Sequence, residues 1–228
     1  MSTTSILTVI TPAPSQDLVS LATVRAVLKD VPVSDNAFLN LAKADASSAI
    51  ATYCGRVFIR EAVSELFRGR GPSFAFFGSG QYLGYLADGA SFPHPGDPVS
   101  LRRYPIAYVA SVTEDDVLLT ADVDYEVDAE RGFLIRLWND AERPWDFRKL
   151  VVQYTGGYAA DAVPADLRSA ALRLITARYA ARGRDPMLRQ YSVPGVLEEQ
   201  FWVGAVGEDG AFPPEVAGLI DQYREVRV

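Results

Sequence analysis

The chain has 228 residues, 49% of them hydrophobic and 22% charged, a balance that excludes wholesale disorder and leaves room for one large domain or a core with a sizeable insertion. No apolar run approaches the roughly 20 residues that cross a bilayer, and residues 1–10 lack the basic segment and the long apolar stretch of a signal peptide, so synthesis in a cytoplasm is expected. With 29 acidic against 22 basic residues the net charge is −7, the reverse of the balance usual in duplex-DNA binders.

In chain order, residues 1–56 read as an N-terminal helical part. Leu21, Val24, Val27 and Leu28 form a short amphipathic pattern with Ser20 as its cap. Pro32 interrupts it, and Ser34 or Asp35 opens a longer helix to Cys54. Phe38, Ala42, Ala46, Ala49 and Tyr53 recur at three and four along it, widened by Leu39 and Ile50, and Gly55 ends it.

Residues 57–155 read as an inserted β domain. Strands are expected over 57–67, 99–103, 106–113, 117–119 and 149–155, with a hairpin over 123–137 turning at residues 128–132. Ile106, Tyr108, Ala110 and Val112 are assigned one face, Ser111 and Thr113 the other. Within this domain, segment 69–98 changes texture: glycines recur among Phe74, Phe76, Phe77, Tyr82 and Tyr85. No lysine lies there to support a phosphate-cradling reading. Arg68 and Arg70 are the only nearby basic groups for stacking a single strand. A projecting loop whose aromatics anchor a neighbouring protein fits better.

Residues 156–228 read as a C-terminal helical part and arm, packing with 1–56 as one core. Pro164 and Asp166 begin a helix carrying Leu167, Ala171, Leu174 and Ala181, closed by Gly183 and Pro186. Arg168, Arg173, Arg178, Arg182 and Arg184 make the richest basic stretch; a five-residue step turns by about 140°, so they spiral around the axis and do not gather on one face. Residues 187–212 look irregular, and a final helix runs from Pro213 to Arg224 with Val216, Leu219, Ile220 and Tyr223. Tyr223, Val226 and Val228 then mark an arm of strand-like character that a neighbour could complete. The fold class expected is α+β: a helical bundle of N- and C-terminal helices with an inserted antiparallel β domain.

Catalytic chemistry has little material. Cys54 and His94 are the sole cysteine and histidine, too few for a structural zinc site. Gly-x-Ser-x-Gly is absent. Asp122 and Asp124 half resemble a calcium loop and leave a weak ion site open. No cofactor, metal or catalytic residue is assigned, and a non-enzymatic role is expected.

Taken in order, several motifs resemble one family. They are residues 21–28, a proline break, then 34–39 leading to Tyr53-Cys54-Gly55-Arg56. Arg103-Tyr104-Pro105-Ile106 runs into a strand, followed by residues 124–127 and 132–137. Residues 154–158, 163–167, 183–186 and 213–216 complete the series. The order resembles the head–tail connector (adaptor) proteins of tailed phages and gene transfer agents. Segment 69–98 is longer than that family leads one to expect, and residues 196–202 depart from its small-residue pattern.

The resemblance implies a structural subunit of the virion neck, present in the host cytoplasm during assembly. It implies a homo-oligomeric ring, commonly a dodecamer, between the portal protein and the stopper or tail terminator. Genome DNA would pass through without sequence-specific binding, and no membrane would be involved. A tail-completion or decoration protein of the virion remains the alternative, and a hydrolase a more distant one.

Overall fold

The computed structural model describes residues 5–69, 98–182, 190–193, 197–200 and 212–225. The fold is mixed α+β with antiparallel sheets. Two compact units divide the chain: one takes the described residues up to Ala13 and Arg60–Tyr158, the other Pro14–Ile59 and Ala159–Glu225.

The first unit is all β. Strands β1 (Ser5–Thr11), β2 (Glu61–Arg68), β3 (Val99–Ser100), β4 (Ile106–Glu114), β5 (Val117–Leu118), β6 (Tyr125–Asp128), β7 (Phe133–Trp138), β8 (Ala141–Arg143) and β9 (Lys149–Gly156) make two sheets. One has the order β1-β2-β9-β4-β5; in the other β7 pairs with β6 on one edge and with β3 and β8 on the opposite edge. Both are antiparallel throughout. Their inner faces close on one core, in which Val63, Phe67, Val112, Leu150 and Val152 of the first sheet meet Val99, Tyr125 and Leu134 of the second.

Turn chemistry fixes the registers. Asp115-Asp116 and Asn139-Asp140 each place two consecutive residues at positive φ, the two-residue hairpin geometry whose twist matches that of the strands. The β6–β7 turn ends at Gly132, φ 72°, whose N–H donates to Asp128 O at 2.8 Å.

Three elements differ from expectation. Residues 5–11, placed in the N-terminal helical part, form an edge strand on β2. Residues 141–143 add β8 to β7. Within 187–212, expected to be irregular, Gln190–Val193 and Leu197–Gln200 pair as a hairpin, β10–β11. The facing of β4 also differs. Irregularities at residues 107 and 110 break its period of two, so Tyr108 lies 65% exposed while Val109 turns to the core. Each extra residue advances the side-chain phase by one.

The second unit is helical apart from that hairpin. Helix α1 (Leu21–Leu28) starts where Ser20 Oγ accepts from Thr23 N–H at 3.1 Å. Arg25 staples the following break, donating to Val31 O at 2.7 Å and Asn36 Oδ1 at 2.6 Å. Helix α2 (Asn36–Cys54) ends at Gly55 in the left-handed region. Its buried stripe is Leu39, Ala42, Ala46, Ile50 and Cys54, rotated from the expected one so that Ala49 faces out. Helix α3 (Ala165–Ala180) buries Leu167, Ala170, Ala171 and Ile175. It packs on α2, and α4 (Pro214–Ile220) packs on α3. Small alanines on both stripes let the α2 and α3 backbones approach closely.

Candidate interaction surfaces

A buried carboxylate anchors the first strand. Positions 61, 63, 65 and 67 of β2 face inward, so Glu65 enters the core in phase with Val63 and Phe67 and is fully buried. Its carboxylate accepts from Tyr154 Oη at 2.8 Å, from Arg102 N–H at 3.1 Å and from Ser5 Oγ. The Arg102 guanidinium lies 3.6 Å away and donates to Ser5 O. Tyr154 Oη in turn accepts from Arg103 N–H at 3.1 Å, and Arg103 pairs with Glu61 at 3.2 Å. Burial, then the adjacent Glu65 charge, pushes the Tyr154 phenol up, so it stays a donor. A buried charge met on all sides in this way orders its partners. Here it fastens β1, the terminal strand, to the rest of the sheet.

The arginines of α3 and its end act within the unit. Arg173 pairs with Glu215 at 2.5 Å, Arg178 with Asp45 at 2.7 Å and Arg182 with Asp35 at 2.7 Å. Tyr179 Oη also donates to Asp35 at 2.8 Å, and the Arg182 guanidinium lies over the Phe38 ring. Hydrogen bonds from Arg182 and Tyr179 hold the Asp35 carboxyl below the usual range. Successive guanidinium groups thus reach an acid on α4, one on α2 and one at the N-cap of α2.

The β unit presents two outer faces pointing in opposite directions, because its sheets enclose one core. Across the five-stranded sheet the registers align Ile6, Leu66, Val151, Thr113 and Leu118 in one row. Beside it run Thr8, Ser64, Gln153 and Ser111, then Thr11, Ala62, Thr155 and Tyr108. None of these residues is charged. Ile6 and Leu118 end their row 58% and 69% exposed. The border is basic: Arg68 stands opposite Lys149, which Asp116 neutralises at 2.7 Å, while Arg68 has no partner among the described residues.

The four-stranded sheet is the reverse. Phe133, Ile135 and Leu137 form a half-buried apolar stripe down the outer side of β7. Asp128, Glu126 and Glu142 stand directly opposite them on β6 and β8. Asp128 has Arg131 nearby; Glu126 and Glu142 have no partner among the described residues. On the inner side Arg136 meets Glu114 at 3.0 Å and the carbonyl of Asp124, and Arg143 stacks on the exposed Trp138.

The residues singled out in the sequence fare unequally. Phe74, Phe76, Phe77, Tyr82, Tyr85, Val226, Val228 and His94 lie outside the described residues. Tyr223 sits in the short helical turn after α4, half-buried with its ring edge on Phe58 at 6.1 Å. Glu225 N–H donates to Cys54 O at 2.8 Å, tying the chain to the end of α2. Asp124 accepts from Thr120 N–H at 2.8 Å and lies 3.5 Å from Arg136, so its carboxylate is used by the hairpin. Among the described residues no group of three His, Cys, Asp or Glu is placed to hold a metal. Burial pushes the Cys54 thiol up to about 11, and its Sγ lies 3.6 Å from Ile220 O. The uncharged outer face of the five-stranded sheet has a signal in the sequence, the absence of charge on alternate residues of 62–66 and 151–155.

No family model matches the sequence. No curated protein matches it either. Solved structures do match in fold. A chain in the neck of an empty gene transfer agent particle, computed with C6 symmetry, superposes with a TM-score of 0.55 at 18% identity, covering 98% of this chain and 97% of that one. A chain in the neck of the native particle, computed with C12 symmetry, gives 0.52 at 19% identity over the same shares. One in the virion of the native particle gives 0.53 at 17%, again over 98% and 97%. The likeness spans both units, and this chain has the fold found in the neck of gene transfer agent particles.

Proposed function

We propose that the chain is a structural subunit of the neck of a gene transfer agent or tailed-phage particle, a head–tail adaptor without enzymatic activity. The observation that carries this reading is the likeness in fold to neck chains over 98% of the length. Copies assemble as a ring, in keeping with the C6 and C12 symmetry of those necks. The ring joins the portal to the stopper or tail terminator and leaves a passage for DNA.

Two features of the chain fit that work. Three arginines at α3 are engaged by Asp35, Asp45 and Glu215, so the helix offers no free basic row for phosphates. The net charge of −7 per copy discourages DNA from adhering as it passes. The aromatic segment 69–98 and the C-terminal arm from Tyr223 onward are the proposed contacts to neighbouring neck proteins, the arm meeting the portal.

Deletion of the coding sequence tests the reading. Filled heads without tails should accumulate, and the gene supplied in trans should restore tailed particles. Normal tailed particles in its absence would contradict it.

A further inference from the structure

We propose that the two outer faces of the β unit bind each other between neighbouring copies, head to tail, so that the β units themselves form one layer of the ring. This rests on the ring reading above and adds to it the surfaces and the partner, a second copy of this chain. The argument is charge complementarity. One face carries three uncharged rows across its strands and is bordered by Arg68, which has no partner among the described residues, and by Lys149, which Asp116 neutralises. The opposite face carries the apolar stripe Phe133, Ile135 and Leu137, flanked by the carboxylates of Glu126 and Glu142, which have no partner among the described residues.

Stacking one on the other lays apolar side chains against apolar side chains and brings the Arg68 guanidinium toward the carboxylates of Glu126 and Glu142. Stacking two striped faces would instead juxtapose the carboxylates of two copies, which is repulsive, and stacking two uncharged faces would leave those carboxylates without a cation. A contact between two different faces is heterologous, and such contacts form a ring where the rotation from copy to copy closes, as the ring reading requires, and an open filament where it does not. The two faces point in opposite directions, the arrangement such repetition requires.

The test uses the full chain with Cys54→Ala as background. Ser64→Cys marks the uncharged face and Ile135→Cys the striped face, with Leu137→Cys as the second choice if the former misfolds. Mixing the two single-cysteine proteins under oxidising conditions should give a 64–135 disulfide between copies, and neither alone should give a homodimer. Sedimentation of Arg68→Glu, or of Glu126→Arg with Glu142→Arg, should show self-association weakened by about tenfold, and the triple variant should recover most of it. Absence of the mixed disulfide, homodimers alone, unchanged association of the charge variants, or a parent chain that never self-associates each overturns the pairing. None of those results bears on neck location, which is read on whole particles.

Discussion

Glu65 and Tyr154 share a hydrogen bond of 2.8 Å inside the β core, although they lie 89 positions apart in sequence. The bond crosses from β2 to β9, and through Ser5 the same carboxylate reaches β1. Replacing Glu65 by Ala strands the Tyr154 hydroxyl, the Arg102 N–H and the Ser5 hydroxyl at once. Leaving a buried donor unsatisfied costs about 1–3 kcal/mol, so the loss should exceed that of any single contact, and chemical unfolding followed by tryptophan fluorescence should show it. Tyr154→Phe removes one donor to Glu65 and the acceptor of Arg103 N–H, leaves the other Glu65 partners in place, and should cost about 1–3 kcal/mol.

Gly156 and Gly218 should respond to alanine in opposite directions. A Cβ at Gly156 would stand 2.1 Å from the carbonyl oxygen of Arg103, a backbone atom that has no rotamer to yield. Gly156→Ala should therefore lower the melting temperature sharply. Nothing lies within 4 Å of a Cβ at Gly218, inside α4. Gly218→Ala should raise stability by up to about 1 kcal/mol through helix propensity.

Asp35 should make the helical unit sensitive to acid. Its folded carboxyl titrates below the ordinary aspartate range because Arg182 and Tyr179 hydrogen-bond to the charged form. A depressed folded value means the stabilisation is complete above the unfolded value and is lost as pH falls through the folded one. Wild type should lose stability on acidification below about pH 4 more steeply than Asp35→Asn, measured by thermal melts across that window. Parallel curves for the two proteins would count against the Asp35 clamp.

The Cys54 thiol, raised to about 11 by burial, should be inert in the folded chain. At pH 8 a thiol-reactive disulfide reagent should label it only after denaturant is added, since the thiolate is the reacting form. Rapid labelling of the folded protein would contradict the packing at the end of α2.

The helices were legible from their ends. Ser20, Gly55, Pro164 and Pro213 each mark a boundary by a local preference that tertiary packing does not override. The facing of β4 was not legible, because a bulge is decided by the partner strand and leaves no mark in the alternation itself. Residues 5–11 hold the β-branched run Ile6, Thr8, Val9, Ile10 and Thr11, a strand signal that a reading directed at export passed over. The Glu65 network had a signal too: a glutamate at an inward position between Val63 and Phe67 needs partners, though nothing local names Ser5, Arg102 or Tyr154. The outer faces emerge only when four strand registers are laid side by side.

Location in the particle tests the central claim most directly. A tagged copy of the chain that supports normal assembly can be labelled with gold on purified particles and imaged by electron microscopy. The account predicts one focus of label on each particle, at the junction of head and tail. Label spread over the head surface or along the tail would contradict it.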